Sequence, residues 1–564
     1  MNESSSGKVR SHVRRVAIAA SIGGVLLVGL QLIAPSTDYQ YVFLASLVVG
    51  VVTALVVLLQ LQRASSKLGH PWRVPCVALL LAVTAVGLVR VKTLSGEMVP
   101  QLEWRFASHS VPELQRASDI DTASMELPGG ETIDDVASVA DEAGKTDDTD
   151  VSDAPKWTPV WGQFLGNERD GILAKREFEV PESAGEAEQL WTIGIGGGWA
   201  SFAIAMDADS NGIAVTLEQR EERECVSAYD LMTGKLLWLV DHNASHFNAL
   251  GEGGPRSTPT IFNDRVYAQG ATGTVWCLDL QTGSEVWKRD LLEAGGWDQA
   301  ASEVAITWGR SGSPLIVDGM CVLPMGGTDQ LSARSLIAMD VETGETVWTA
   351  GEGQISYASP QLLTLGGQRQ IVSVNEADIT GHEITTGEVL WQTDWEGQSN
   401  GGSNCSSVIP AGQDRFLIGK GYGGGSALIE VRHQDDGWEV EDVWRTTRVL
   451  KTKFNHCVVR DGVAYGISNG ALQAVDVESA ERLWEQGRRG RYGQGQVILV
   501  DDMLIVQAEM GDIAIVEASP NDFVELIRFE ALQQKTWNIP SVAGNLLLVR
   551  NAEQAIAFRL PSKP

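Results

Sequence analysis

A chain of 564 residues, 43% of them hydrophobic, exceeds what one ordinary core accommodates, so several structural units or a repeat array are expected. A formal charge of −30 excludes nucleic acid as a partner, because phosphate binding needs a basic surface; such a charge serves the solubility of an exported domain. Six cysteines without a C-x-x-C pair exclude a zinc knuckle and a c-type haem attachment, and leave room for an occasional disulfide at most.

In chain order, residues 1–15 form a basic tail containing Lys8, Arg10, Arg14 and Arg15. Val16–Ala34 and Tyr41–Leu61 are uncharged runs of 19 and 21 residues, and Val74–Val89 is a shorter run of 16. The first two match the roughly 30 Å hydrocarbon core, and Arg73, Arg90 and Lys92 can snorkel at the ends of the third. Residues 16–92 are therefore predicted to be a three-helix transmembrane anchor. Basic residues precede the first span and fill the second loop (Arg63, Lys67, Arg73), whereas the first loop has none. The positive-inside rule then places the N-terminus in the cytoplasm and the rest of the chain outside the inner membrane, in the periplasm. A cleaved signal peptide is the competing reading of the first run, but no A-x-A site follows Ala34.

Residues 93–156 read as an acidic disordered linker. Twelve acidic residues and one basic residue, Lys145, lie between Asp119 and Asp153, too polar a stretch to offset its ordering entropy. An acidic metal-binding tail is the sharper alternative; a self-repelling tether is the plainer one.

Residues 157–564 repeat. DLMTGKLLW (Asp230–Trp238), DLQTGSEVW (Asp279–Trp287), DVETGETVW (Asp340–Trp348) and EITTGEVLW (Glu383–Trp391) are one motif, and DVESAERLW (Asp476–Trp484) is a degenerate copy. Further ends stand at Trp191, Trp444 and Ile527, with spacings of 40 to 61 residues, the length of a four-stranded blade. Sixty glycines and dipeptides such as Asp461-Gly462 and Asn469-Gly470 supply the hairpin turns, and Gly421–Gly425 reads as one more. Each motif Asp is predicted to cap its T-G turn, and each Trp to offer a flat apolar surface to the next blade. The strands within Ser541–Leu560 lack a fourth, and the strand at Trp191 lacks three. Joining them closes eight blades, with seven as the alternative.

The A-x-D-x-x-T-G-x-x-x-W repeat resembles that of the pyrroloquinoline-quinone-like (PQQ-like) β-propellers. That superfamily includes quinoprotein alcohol dehydrogenases and the non-catalytic propeller lipoprotein of the outer-membrane barrel-assembly machine. Trp161, Phe164 and Gly166, with Gly253–Pro259 and Trp308–Leu315, are similar to propeller proteins of planctomycete-type bacteria. The resemblance implies an all-β, eight-bladed propeller and is neutral about catalysis.

In such a fold the loops before each first strand meet at the mouth of a channel. They carry Trp199, Glu252, Arg256, Trp308, Arg310, Tyr357, Asn404, Lys453, Asn455, His456, Arg491, Gln494, Lys535, Trp537 and Asn538. Five cations aimed at one mouth in an acidic protein suit an anionic or polyhydroxylated ligand; alternatively they fill the channel and bond loop carbonyls. A dehydrogenase of this fold uses PQQ polarised by calcium, an Asp base and adjacent cysteines. This chain offers Glu252, Asn404 or Asn455 as oxygen ligands and Trp199, Trp308 or Trp537 as a stacking face, but no cysteine pair and no Asp in those loops. His456 reads as hydrogen-bonded filler more readily than as a base. The expectation is a membrane-anchored, non-catalytic scaffold that binds a protein or small molecule without a cofactor or metal. The alternative is a PQQ- and calcium-dependent oxidoreductase acting on alcohols or sugars.

Overall fold

The computed structural model describes residues 3–33, 39–67, 69–107, 111–116, 118, 155–327, 334–399 and 401–563. The acidic stretch Asp119–Asp153 lies outside the described residues. The chain divides into two compact units: unit 1 comprises Met1–Val111, Ser356–Glu383 and Val389–Trp537, and unit 2 comprises Pro112–Ile355, Ile384–Glu388 and Asn538–Pro564.

Each unit holds four antiparallel blades. In unit 2, blade 1 runs Ala203–Met206, Gly212–Arg220, Arg223–Asp230 and Leu236–His242, with Thr158–Trp161 paired to its first strand. Blade 2 spans residues 260–290 and blade 3 residues 315–350. Blade 8 joins Ser541–Ala543, Leu546–Arg550 and Gln554–Arg559 to Glu188–Gly194, with Ala557 opposite Trp191, which is the predicted closure. Unit 1 holds blades 4 (361–394), 5 (409–446), 6 (457–485) and 7 (496–530). Together these are the eight blades of an all-β propeller, not seven. The middle strands of the blades are mostly buried, as in Thr274–Asp279, because both faces pack on neighbouring sheets. Asp461-Gly462 and Asn469-Gly470 both have positive φ, as their turns require, and Gly421–Gly424 links two strands of blade 5.

The repeated motif proves to be a latch between blades. Asp230 Oδ1 accepts the backbone N–H and hydroxyl of Thr233, and Asp279 and Asp340 treat Thr282 and Thr343 alike. The turn thus fixed is capped by the tryptophan of the preceding blade. Trp191, Trp238, Trp287 and Trp348 donate their indole N–H to Leu231, Leu280, Val341 and Ile384 carbonyls at 2.8–3.1 Å. Their rings lie on Gly234, Gly283, Gly344 and Gly387, where an added Cβ would meet the ring at 2.5–2.7 Å. Each of these glycines also has a φ near +70°, so the T-G step answers two demands at once. The degenerate copy has Ala480 there at φ +57, and its partner Trp444 is only half-buried.

Three helices form near the expected positions, α1 (Glu3–Ile33), α2 (Tyr39–Lys67) and α3 (Arg73–Leu88). Among the described residues, however, one helix, over Tyr41–Lys67, is long and apolar enough to cross a membrane, against the three expected. Basic residues occupy the first half of α1, and α3 is only 16 residues long because the chain turns into a strand at Val89. α1 lies against α2, with His12 Nδ1 3.0 Å from Gln60 Oε1 and Gly23 packed on Thr53.

The segment assigned to the start of the linker is instead a hairpin. β1 (Val89–Leu94) pairs with β2 (Pro100–Trp104), and the turn between them is closed by Met98 N–H to Ser95 O at 2.8 Å. The Ser95 hydroxyl accepts the N–H groups of Glu97 and Val99, and Met98 takes φ +60.

Candidate functional site

The predicted loop residues divide between the units. In unit 2 they are structural. Trp199 is buried and donates its N–H to Gly251 O at 2.8 Å. Glu252 sits at φ +58 in a two-residue strand paired with Phe247–Asn248. Arg256 bonds the carbonyls of Gly254 and Gly251 at 3.0 and 2.8 Å, close to the Trp308 ring that walls the same glycine. Arg310, expected at an open mouth, is 1% exposed. It stacks on Trp297 at 4.9 Å and bonds Met325 O at 2.8 Å, and burial pushes its pKa down to about 10. Asn538 donates to Ala200 O at 2.7 Å. Arg310 therefore does not face an open mouth as the sequence suggested, because Trp297 and the surrounding loops cover it almost completely. Its change to Ala removes a buried stack and charged hydrogen bonds, an effect larger than the ~1 kcal/mol of a surface residue.

In unit 1 some residues only pin loops. Asn404 donates to the carbonyls of Asn375, Glu376 and Trp395 at 3.0–3.1 Å, its own carbonyl accepts the Tyr357 N–H at 3.0 Å, and the Tyr357 hydroxyl donates to Ser399 O. His456 Nε2 accepts the Ser407 N–H at 3.0 Å, and burial pushes its pKa down to about 4. Its Nε2 thus acts as an acceptor that ties this loop to the one at Ser407. Arg491 is half-buried and paired with Glu485 at 3.1 Å.

The other unit 1 residues converge on the tip of the β1–β2 hairpin. Lys453, 1% exposed, donates to Gly96 O at 2.9 Å and to Glu97 Oε2 at 3.0 Å. Gln494 donates to the second Glu97 oxygen. Glu509 accepts the Gly96 N–H, the Gln494 N–H at 3.0 Å and the Trp537 indole N–H at 3.0 Å. Trp537 packs on Phe454 at 4.4 Å under Lys535, whose Nζ lies 4.2 Å from the ring and 3.3 Å from Leu94 O. Asn455 sets the loop by accepting the Lys453 N–H at 3.0 Å and donating to Gly495 O at 3.1 Å. The anion that Lys453 holds at this loop end is thus a carboxylate of the chain itself. Beside the hairpin lies a cavity of about 580 Å³ whose lining includes Arg448, Arg482, Arg488, Arg491 and Tyr492.

Glu97 and Glu509 were not among the predicted residues. The signal for the hairpin was present: Val89, Val91, Leu102 and Trp104 alternate about a Ser-Gly-Glu-Met turn, overshadowed by the acidic stretch that follows.

These donors do not match PQQ with calcium. Asn404 and Asn455 spend their amides on main-chain groups, which leaves Asn404 Oδ1 as one buried neutral oxygen without a partner among the described residues. Calcium takes six to eight oxygens, several of them usually carboxylates. Trp537 already carries Phe454 on its ring. Among the described residues Cys225, Cys277, Cys321 and Cys457 form no disulfide, and burial raises Cys225, Cys277 and Cys457 to about 12.

The chain is 22% identical to the outer membrane protein assembly factor BamB of Shewanella oneidensis over 294 residues, 51% of this chain and 70% of that protein. It is 24% identical to the quinohemoprotein alcohol dehydrogenase ADH IIB of Pseudomonas putida over 143 residues, but spans only 19% of that enzyme's length. The fold matches the quinohemoprotein alcohol dehydrogenase of Comamonas testosteroni with a TM-score of 0.53 at 13% identity, covering 73% of this chain and 82% of that one. A family profile described as outer membrane protein assembly factor BamB matches residues 222–486 and 375–526, together more than half of the sequence. With PQQ-like blades, a latch motif in register and this match, the chain belongs to the BamB family of PQQ-like propellers.

Proposed function

We propose that the protein is a membrane-attached, extracytoplasmic, non-catalytic propeller that binds a partner protein at the loop end of blades 6 and 7. The observation that carries this reading is the occupant of that end: a peptide turn of the chain itself, gripped through its main chain and one carboxylate. A surface that accommodates a turn is chemically fitted to protein. Family membership beside proteins named as assembly factors supports the same choice. Attachment is supported by the apolar helix Tyr41–Lys67, and the outward location by the clusters Lys8–Arg15 and Arg63–Arg73. No cofactor is required. Any relation to planctomycete-type propellers rests on the Trp161, Gly253–Pro259 and Trp308–Leu315 motifs alone.

The test uses the full chain in detergent, supplied with PQQ and Ca²⁺ and offered alcohols and sugars, with dye reduction as the readout. No substrate-dependent reduction is expected; turnover would replace this reading with that of a quinoprotein oxidoreductase. Alkaline phosphatase fused after Ser110 is expected to be active in cells, and an inactive fusion would put the propeller in the cytoplasm.

A further inference from the structure

The hairpin tip is a small set of recognition elements, each met by a group on the blades. One main-chain N–H, that of Gly96, goes to Glu509. One main-chain carbonyl, again of Gly96, goes to Lys453, and one carboxylate, Glu97, goes to Lys453 and Gln494. Position 96 is restricted to glycine, because a Cβ there would stand 2.6 Å from Gln494 Cγ and 2.8 Å from Phe454 Cζ. The fit is to a tight turn with glycine followed by an acid.

The rest of the hairpin contributes little to its seating. Ser95 and Glu97 are its buried residues, while Val91, Leu102 and Trp104 are 57%, 68% and 52% exposed. The tip contacts are those of a plug, not of a strand woven into a blade. Their chief polar element is a buried ion pair, whose Coulombic gain is largely cancelled by the desolvation of both charges. Undocking returns Lys453 and Glu97 to water together, so neither is left as an uncompensated buried charge. A turn of the same chemistry arriving from elsewhere meets a site whose resident can leave without stranding a buried charge.

We infer that the loop end of blades 6 and 7 is a receptor for an acidic Gly-Glu turn of a partner protein, and that residues 95–98 occupy it in cis until the partner displaces them. This rests on the protein-binding reading above and specifies the partner's chemistry. Dye reduction would sink that reading while leaving turn exchange measurable, so the two fail separately. The cavity beside β2 is lined by Arg448, Arg482, Arg488 and Arg491 together with Glu97, Glu485, Glu509 and Asp512, a mixed-charge wall for the flanks of the turn.

The experiment uses a fluorescein-labelled, head-to-tail cyclic peptide of Leu94–Val99 and full-length chains, read by fluorescence anisotropy. Gly96→Leu is built to unseat the tip by its bulk and Glu97→Gln by removing its charge, so both chains are expected to bind the peptide at least tenfold more tightly than wild type. Adding Lys453→Met to either is expected to remove at least tenfold of that binding. A peptide with Gln in place of Glu97 should lose as much, an arm that leaves the chain untouched. In wild type, excess peptide should make Arg105 at the base of the hairpin more susceptible to trypsin. Equal binding to wild type and Gly96→Leu, or no binding to either unseated chain, overturns the inference. So does a wild-type chain of doubled mass that Gly96→Leu halves, which would show the turn is exchanged between copies.

Discussion

Truncating Trp287 to alanine is expected to cost about 3–5 kcal/mol, the range for deleting a large aromatic from a packed interior that does not collapse. Trp287 is 5% exposed, lies flat on Gly344 and packs against Tyr267 at a centroid distance of 6.0 Å. It shares a cluster with Cys321, Leu323, Ile337 and Met339 of blade 3, so its loss opens the seam between two blades. Trp287→Phe retains part of the surface but leaves Val341 O without its 2.8 Å indole donor, and should cost about 1–2 kcal/mol. Trp444, half-buried over the degenerate copy, should tolerate alanine at less cost than Trp287. Denaturant midpoints of the three variants check the order. Equal losses at Trp287 and Trp444 would mean that the latch geometry does not set stability.

The second large effect is expected at Glu218 in blade 1. Its carboxylate is fully buried and accepts from Arg220 at 2.8 Å, the Ser227 hydroxyl at 2.5 Å, the Tyr229 hydroxyl at 2.9 Å and the Gly196 N–H. Burial pushes its pKa up, but Arg220, the Ser227 bond and Arg550 more than offset this and hold it below the usual carboxylate range. Glu218→Ala leaves Arg220 and the 1%-exposed Arg550 without a counter-charge, a loss of about 3–5 kcal/mol. Because the folded pKa is depressed, this stability is present above the unfolded value of 4.5 and is lost as pH falls through the folded one. The gap in melting temperature between wild type and Glu218→Ala should therefore be full at pH 7 and narrow below pH 4.5. Glu224 acts with the opposite sign. Burial raises it to about 7, so its contribution is full below 4.5 and lost as pH rises through about 7. A gap that stays constant down to strong acid would show that Glu218 is not ionised in the fold.

The blades were legible because each rests on local chemistry repeated many times. An Asx-capped T-G turn and a terminal Trp are visible in a nine-residue window, and Asn-Gly and Asp-Gly pairs mark hairpins within four residues. Closure by Trp191 followed from strand arithmetic alone. The sites were less legible, since whether an arginine before a first strand faces solvent depends on how the surrounding loop and any insertion fold over it. Arg310 lies under Trp297, a residue of a helical insertion that carries none of the repeat, and Arg256 turns back on carbonyls of its own loop. The hairpin was missed because its acidic neighbourhood resembles tether, and its tip gains meaning only against Lys453, hundreds of residues onward. The three-span anchor was over-read from hydropathy runs that do not show where a helix stops.

The seated Glu97 turn is the centre of this account, and amide hydrogen exchange of the full-length chain tests it most directly. The Gly96 N–H, bonded to Glu509, should exchange slowly in wild type, and at close to the rate of an unstructured peptide once Lys453→Met removes the partner of Glu97. A Gly96 amide that exchanges freely in the wild-type chain would contradict the account, because the hairpin tip would then not occupy the loop end of blades 6 and 7.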